Sequence, residues 1–190
     1  MKKILYPALM VLALVSLPVH AASYVIDTEK AHAFIEFKIS HLGFSYVLGR
    51  FDDFSGEFSY DENDPSAANV VVNIDTSSID TNHAERDKHL RSADFLDVGK
   101  YPTATFTSTA FKELGNGKAS LSGNLTLHGV TRPVTIDVTH VGAGKDPWGG
   151  YRRGFTGSTR LKLKDFGINY NLGPTATEVE IVLTLEGIRK

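Results

Sequence analysis

Apolar residues alternate with polar or small ones along most of the chain. In residues 153–164, for example, Gly157, Thr159 and Leu161 fall on one face of an extended strand and Arg160 falls on the other. Eight stretches share this pattern, and a short lead-in at 24–27 precedes them: 33–40, 54–60, 68–74, 103–112, 118–127, 133–141, 153–164 and 178–187. Short turns between several of them favour antiparallel neighbours. The pattern therefore predicts a mainly β protein built as a single antiparallel eight-stranded barrel.

The inward face of nearly every stretch carries a small residue near its middle. These residues are Gly56, Ala104, Ser108, Ala110, Gly123 and Gly157. An eight-stranded barrel is either filled by its own side chains or is just wide enough to hold one small ligand. The small residues favour a cavity, which Gly56, Gly123 and Gly157 are expected to form. The alternative is that large residues on facing strands fill the same space.

The same alternation predicts which side chains line the interior. They are Ile35, Phe37, Ile39, His41, Phe54, Phe58, Val70, Val72, Phe106, Leu125, Leu127, Ile136, Phe155, Leu161, Ile181 and Leu183. Nearly all of them are aliphatic or aromatic. The predicted site is therefore a barrel lining that suits a long-chain apolar ligand.

Two segments break the alternation. Residues 41–49 contain two glycines, and we expect a turn or one short helix there. Residues 76–102 include a run of good helix formers, which predicts a helical insertion. A non-strand segment of this length is expected to cover the domain. We therefore expect the insertion to pack over an opening of the barrel through Leu90, Phe95 and Leu96.

The chain begins with the features of a secretory signal peptide. Two lysines precede an almost wholly apolar stretch that ends at Leu17, and small residues follow. Cleavage after Ala21 fits best, and cleavage after Ala22 is the alternative. Residues 1–21 are thus predicted to be removed, and 22–190 to form one β-barrel domain. The lysine-led leader, the length and the lack of cysteine favour a bacterial periplasmic protein.

Charge and composition exclude several classes of protein. The full chain has 20 lysines and arginines, two of them in the leader, so the mature chain has 18 against 22 acidic residues and a formal charge of −4. Nucleic-acid binding needs a basic surface, so no nucleic-acid partner is expected. The mature chain has no apolar run near the ~20 residues that cross a bilayer, so no membrane span is expected. Without cysteine, the fold cannot be held by disulfides.

The common catalytic signatures are missing from the sequence, including the nucleophile elbow, the zinc-protease helix and the phosphate-binding loop. The acids and bases on which an enzyme would depend are His32, His41, Asp53, His83 and Glu85. The sequence therefore predicts neither a catalytic residue nor a cofactor.

The best metal candidates are His83, Glu85 and His89. On a helix, His83 and Glu85 would point to different faces, and the gap of six between the histidines is not the i,i+4 spacing that zinc prefers. The alternative is a solvated helix with salt bridges. No metal site is predicted.

Three ring side chains near strand ends each have two interpretations. His32 and His41 flank the first long stretch, where either could hydrogen-bond a ligand head group or satisfy a loop carbonyl. Trp148 lies in a glycine-containing loop, where it could clamp a ligand at a barrel mouth or cap the core.

Short motifs in a fixed order make the chain resemble a known family. They are Ile26-Asp27 with His32, Ile35-x-Phe37-x-Ile39-x-His41-x-Gly43, Gly49-x-Phe51, Thr81-Asn82-x-x-Arg86-Asp87-x-His89-Leu90, Ser92-x-Asp94-Phe95, Tyr101-Pro102-x-Ala104-x-Phe106-x-Ser108, Gly123-Asn124-Leu125-Thr126-Leu127-x-Gly129-Val130-Thr131-x-Pro133-Val134, and Lys164-Asp165-Phe166-Gly167-Ile168. Each motif is weak alone, but together they span essentially the whole mature chain. The sequence resembles the YceI-like family.

The resemblance implies a lipocalin-like antiparallel barrel, a periplasmic location and binding of a long isoprenoid or similar lipid. It also implies that dimers are common, and it names no catalytic residue. Ala33 departs from the family pattern, which often has serine after the histidine, so a hydroxyl contact to a head group is not expected there.

Together, the pattern and the resemblance predict a periplasmic binding or carrier protein. Its ligand would be a long apolar lipid, such as a polyisoprenoid or an isoprenoid quinone precursor, held in the barrel interior. One alternative is a non-catalytic envelope stress-response or interaction module that works through its surface. The other is an enzyme that modifies a lipid inside the barrel.

Overall fold

The computed structural model describes residues 21–29 and 32–190, so most of the predicted signal peptide lies outside the described residues. Within those ranges the chain forms eleven strands and one α-helix. The strands are β1 (Ala22–Ile26), β2 (Phe34–His41), β3 (Ser45–Phe51), β4 (Phe54–Tyr60), β5 (Asn69–Asp75), β6 (Ile79–Asp80), β7 (Thr103–Gly115), β8 (Lys118–Leu127), β9 (Val130–Lys145), β10 (Tyr151–Lys162) and β11 (Glu178–Arg189), and the helix is α1 (Ala84–Leu90).

Eight of these strands close into a ring. Their order is β1, β4, β5, β7, β8, β9, β10 and β11, and every neighbouring pair is antiparallel. β1 closes the ring, because Tyr24 lies opposite Phe58 of β4 on one side and opposite Arg189 of β11 on the other. The predicted eight-stranded antiparallel barrel is therefore confirmed.

Three members of the ring are bent and continue as a second strand. β2 continues β1 beside β11, and β3 precedes β4 and pairs with β2. β6 continues β5 after a 3-10 turn at Thr76–Ser78 and pairs with β3. At these breaks β11 changes its partner from β1 to β2, so the strand pairing differs between the two halves of the ring.

The expectation of a turn or short helix at residues 41–49 is correct about a turn but wrong about its length. Only a tight turn at 42–44 interrupts the chain, and β3 then pairs with β2 along its whole length. Gly49 lies opposite Phe37, and a Cβ at this glycine would lie 2.3 Å from the Phe37 ring. The glycine that breaks the alternation in the sequence thus makes room for a core aromatic side chain.

Two of the short connections between neighbouring strands are hairpin turns of two residues each. Asn116 and Gly117 join β7 to β8, and His128 and Gly129 join β8 to β9. All four residues have positive φ, which is the requirement of the type I′ turn that best fits twisted antiparallel strands.

The insertion between β6 and β7 contains a single short helix. His83 caps α1, because its Nδ1 accepts a hydrogen bond from the backbone NH of Arg86 at 3.2 Å. Turns follow the helix, and Arg91 fastens the segment to the barrel by donating from Nε to the Ser77 carbonyl and from Nη2 to the Ile79 carbonyl, both at 2.6 Å. The helical part is thus shorter than the predicted insertion at 76–102.

The core has three clusters, and two of them lie toward opposite ends of the barrel. At one end, which we call the α1 end, Phe95 and Leu96 pack with Phe166. At the opposite end, which we call the base, Tyr24 and Phe58 pack together. None of the helices in the described part of the chain is long and apolar enough to cross a membrane.

Candidate ligand-binding site

A cavity of about 640 Å³ lies inside the barrel and extends inward from the α1 end. This volume falls within the range of roughly 300–1,000 Å³ that is usual for small-molecule sites. Thirteen of the sixteen predicted lining residues line it: Ile35, Phe37, Ile39, His41, Val70, Val72, Phe106, Leu125, Leu127, Ile136, Leu161, Ile181 and Leu183. That these side chains contact a ligand remains a prediction.

Phe54, Phe58 and Phe155 do not line the cavity. All three pack in the base core instead. Phe58 stacks on Tyr24 with ring centroids 4.7 Å apart, and Phe155 meets the edge of Phe58 at 5.7 Å. The stacked rings pack at the base, whereas Ile35 and Val72 of the same cluster line the cavity.

The three predicted cavity-forming glycines make room for neighbouring side chains. A Cβ at Gly123 would lie 2.4 Å from the Phe106 ring, and one at Gly157 would lie 2.9 Å from Ile136. A Cβ at Gly56 would lie 2.6 Å from a backbone carbonyl oxygen and 2.8 Å from Ile26. The glycines therefore let large side chains turn inward, and the open space lies elsewhere.

The other small residues predicted on the inner face have different roles. Ala104 lines the cavity. The Ser108 hydroxyl accepts a hydrogen bond from the backbone NH of Val70 at 2.8 Å. Ala110 is exposed, because a bulge after Ser108 shifts the alternation of β7.

The segment around α1 covers the mouth of the cavity. Leu90, Phe95 and Leu96 line the cavity as expected, and Phe95 and Leu96 are buried. Tyr170, from the loop between β10 and β11, lies 4.7 Å from the Phe95 ring and 5.2 Å from the His89 ring. The α1 segment and this loop meet over the opening.

Sequence reasoning missed the contribution of the loop after β10. Ile168, Tyr170, Asn171 and Leu172 all line the cavity. The segment has no strand periodicity that could assign a face to these residues, so alternation carried no signal. The only signal in the sequence was that apolar residues follow Phe166 in a segment without alternation, which could have indicated a contact with the core.

The polar lining residues lie together at the mouth. They are Ser40, His41, Arg86, His89 and Asn171. Deeper in the cavity the wall is apolar apart from Thr159, whose hydroxyl donates to the Thr135 carbonyl at 2.8 Å. The site therefore combines an apolar interior with a polar rim.

Arg86 is the cationic side chain of this rim, and it is held in place. Its Nε donates to the Thr81 hydroxyl and its Nη2 to the Thr81 carbonyl, both at 2.7 Å. Thr81 is fixed in turn by the buried carboxylate of Asp87, which accepts from its backbone NH at 2.9 Å.

A buried polar cluster lies among the aromatic rings of the base. Arg153 is 4% exposed, pairs with Glu62, and has its guanidinium 4.4 Å from the Tyr60 ring. Burial lowers the pKa of His140, and the charge of Arg153, whose Nη1 lies 3.3 Å from the imidazole Nε2, lowers it further. Burial and a hydrogen bond to Glu113 raise the pKa of Tyr60.

A second charged cluster is centred on Arg152 at the same end. Its Nη1 lies 2.6 Å from Asp27 Oδ2 and also contacts Glu186, and its Nε lies 2.8 Å from Asp146. His32 joins this cluster, with Nδ1 3.2 Å from Asp27 Oδ2. The ligand atoms of Asp27, His32 and Glu186 lie within 4.8 Å of one another, and the Arg152 guanidinium already contacts both carboxylates of this group.

The remaining candidates from the sequence lie apart. His83 caps α1, and His89 Nε2 lies 3.2 Å from Asp94. Both interpretations of Trp148 are wrong: it is 71% exposed and lies in the β9–β10 turn at the base, away from the mouth and the core. Of the histidines that flank β2, His41 lines the mouth, whereas His32 pairs with Asp27 at the base.

The fold and the cavity define a class of protein, namely closed antiparallel β-barrels with an apolar cavity in their interior. Within this class the chain belongs to the YceI-like family, because the family model for the YceI-like domain matches residues 24–187.

Relatives and solved structures agree with this assignment. A UPF0312 protein of Shewanella baltica is 58% identical over 191 residues and is matched over the full length of both chains. The crystal structure of BcnA from Burkholderia cenocepacia has a TM-score of 0.73 and 26% identity, over 85% of this chain and 98% of that one. A polyisoprenoid binding domain from Saccharophagus degradans has a TM-score of 0.65 over 90% of this chain and all of its own; at 20% identity, this likeness shows the fold alone.

Proposed function

We propose that the protein binds a long apolar lipid, such as a polyisoprenoid or an isoprenoid quinone precursor, and carries it in the barrel interior. The observation that carries this proposal is the cavity of about 640 Å³, whose inner wall is apolar and whose polar residues are confined to the mouth. The base is closed by packed aromatic rings. A chain would therefore enter from the α1 end.

Burial of an apolar chain can supply the affinity without a strong polar anchor. Each buried CH₂ group contributes about 0.8 kcal/mol. Ten such groups contribute roughly 8 kcal/mol, which corresponds to a dissociation constant near the micromolar range before ordering costs. The free-energy cost of covering an unpaired polar group does not arise at Thr159, because its hydroxyl is already hydrogen-bonded to a backbone carbonyl.

The location and the assembly are also parts of this proposal. The leader sequence supports export, and we propose that the carrier works in the periplasm. The Saccharophagus degradans domain, named for polyisoprenoid binding, has the same fold and is compatible with this class of ligand. A homodimer is proposed from the family resemblance alone.

An interaction module is the second candidate, and one observation favours it. The hairpin of β2 and β3 exposes Leu42, Phe44, Tyr46 and Leu48, and Phe44 is 87% exposed. Large apolar side chains grouped on a surface mark sites of contact with other molecules. A module of this kind would keep its cellular role when the cavity is blocked, whereas a carrier would lose it.

We propose a binding role rather than a catalytic one. The acids and bases that an enzyme would need are spread over the molecule: His32 lies at the base, His41 at the mouth, and His83 at the start of α1. A general base has to lie within hydrogen-bonding reach of its substrate together with its partner groups. The described residues do not bring these side chains together.

Blocking the cavity tests the proposal. Thr159→Phe places a ring in the cavity, whereas Thr156→Phe makes the same change on the exposed face of the same strand. Titration with squalene should give binding in the wild type, a loss of at least about tenfold in affinity for Thr159→Phe, and little change for Thr156→Phe. Absence of binding, or equal affinities for the two variants, would contradict the proposal.

A further inference from the structure

Beside the mouth, a second cleft on the surface shares part of its lining with the cavity. A polar cleft lies between β3 and α1, and it is lined by Glu36, Arg50, Asp80 and their neighbours. His41, Val47 and Arg86 line both this cleft and the cavity. An apolar chain in the cavity would thus have a polar compartment next to its outer end.

Arg86 lines both the cavity and this cleft, and its guanidinium is held in place. Its Nε and Nη2 are fixed on Thr81, whereas Nη1 has no hydrogen-bond partner within the part of the chain that the structure describes. The side chain is half-buried, and its anchor Thr81 is buried. A guanidinium held in one orientation loses little freedom when it donates to a ligand oxygen.

The charges in the cleft indicate what kind of head group fits. Glu36 and Asp80 supply two carboxylates, and Arg50 and Arg86 supply two guanidinium groups. Arg50 is already paired, with its Nε 2.7 Å from Asp52 and its Nη2 3.7 Å from Asp80. A phosphate, with a charge near −2, would find no surplus positive charge.

We propose that this cleft holds a neutral, oxygen-bearing head group, a carbonyl or a hydroxyl, of the molecule whose chain fills the cavity. Nη1 of Arg86 donates to that oxygen, and His41 lies beside it in the shared wall. This inference rests on the proposed function. It adds that the cleft prefers quinones and alcohols over hydrocarbons and does not prefer phosphate esters.

Four ligands with the same number of isoprene units test the head-group preference: geranylgeraniol, menaquinone-4, geranylgeranyl phosphate and the saturated hydrocarbon phytane. The wild type should bind the alcohol and the quinone about tenfold more tightly than the hydrocarbon, as expected for one added charge-assisted hydrogen bond. The phosphate should bind no more tightly than the alcohol.

Substitution of Arg86 tests the residue that makes the contact. Arg86→Met should remove the preference, so that the alcohol and the quinone bind no more than about twofold more tightly than phytane. Arg91→Met is the matched control: Arg91 is also held through Nε and Nη2 by oxygens of the chain, but it does not line the cavity. This control should retain the preference.

The outcomes separate this inference from the proposed function. If the wild type binds none of the four ligands, the proposed function fails. If all four ligands bind equally, the proposed function stands but the head-group site is overturned. If the phosphate binds more tightly than the alcohol, the proposal that the head group is neutral is overturned. If the Arg86→Met variant keeps the preference, Arg86 does not make the contact with the head group. The ligand series in the wild type decides the question even if a variant does not fold.

Discussion

Single inward-facing positions determine how much of the barrel is filled. Gly123 lies on the inner face of β8, where the Phe106 ring occupies the space that a side chain would need. Any larger residue there has to displace both this ring and the Thr107 carbonyl, which would lie 2.6 Å from the new Cβ. The glycine is thus part of the core packing between the cavity and the base.

Gly123→Ala should lower the free energy of unfolding by roughly 1–3 kcal/mol, the usual cost of overpacking. Gly142→Ala is the matched control, because it adds the same methyl group in a neighbouring strand where no atom lies within 4 Å. Urea denaturation of both variants measures the difference. Equal stability of the two variants would show that the Phe106 ring can move aside at little cost.

His140 makes the stability of the barrel sensitive to acid. Burial and the charge of Arg153 lower its pKa in the folded protein, while the unfolded chain keeps the ordinary value of about 6.5. Below this value the unfolded state binds the proton more readily, so stability falls as the pH decreases. His140→Gln should therefore flatten the decrease of Tm between pH 7.5 and 5, and unchanged slopes would exclude this residue as the source.

Alternation along a strand shows the face on which a residue lies, but not its depth in the barrel. His41 and Phe58 were both predicted to line the cavity, yet His41 lines the mouth and Phe58 stacks on Tyr24 at the base. The position along the barrel axis depends on register and on bends between strands, which arise from pairing between distant segments. This information is absent from local periodicity.

At the scale of elements, the long strands were the most predictable part of the fold. β8 and β10 have regular alternation, and the predicted strands agree closely with those observed. β3 was missed because Gly43 and Gly49 break its pattern, although pairing with β2 stabilises it. The loop after β10 was missed as part of the site, since its residues reach the cavity without regular structure.

The contact between the α1 segment and the loop after β10 is expected to control ligand release. Tyr170 is exposed and lies against Phe95 and His89. Tyr170→Ala should speed dissociation of bound squalene several-fold by loosening the cover of the mouth. It should lower stability by no more than about 1 kcal/mol, since almost half of the residue is exposed.

Stopped-flow displacement measures this dissociation. Trp148→Ala is the control, because it removes an exposed aromatic side chain at the base, far from the mouth. Equal dissociation rates for the two variants would mean that the ligand leaves by another route.

At the scale of the whole molecule, the two ends of the barrel are closed by different kinds of structure. Stacked aromatic rings and a buried arginine close the base, whereas a short helix and an irregular loop cover the cavity at the other end. The bends in three of the eight ring members allow this asymmetry, because they separate the pairing of the two halves. The account as a whole depends on the cavity being a binding site for an apolar chain.

The most direct test is native mass spectrometry of the protein purified from the envelope of its own cells without detergent, followed by organic extraction. The account predicts that the wild-type protein carries an apolar molecule in a one-to-one complex, and that Thr159→Phe, purified in the same way, carries little or none. Wild-type protein that is consistently empty and takes up no prenyl lipid when it is supplied would contradict the account.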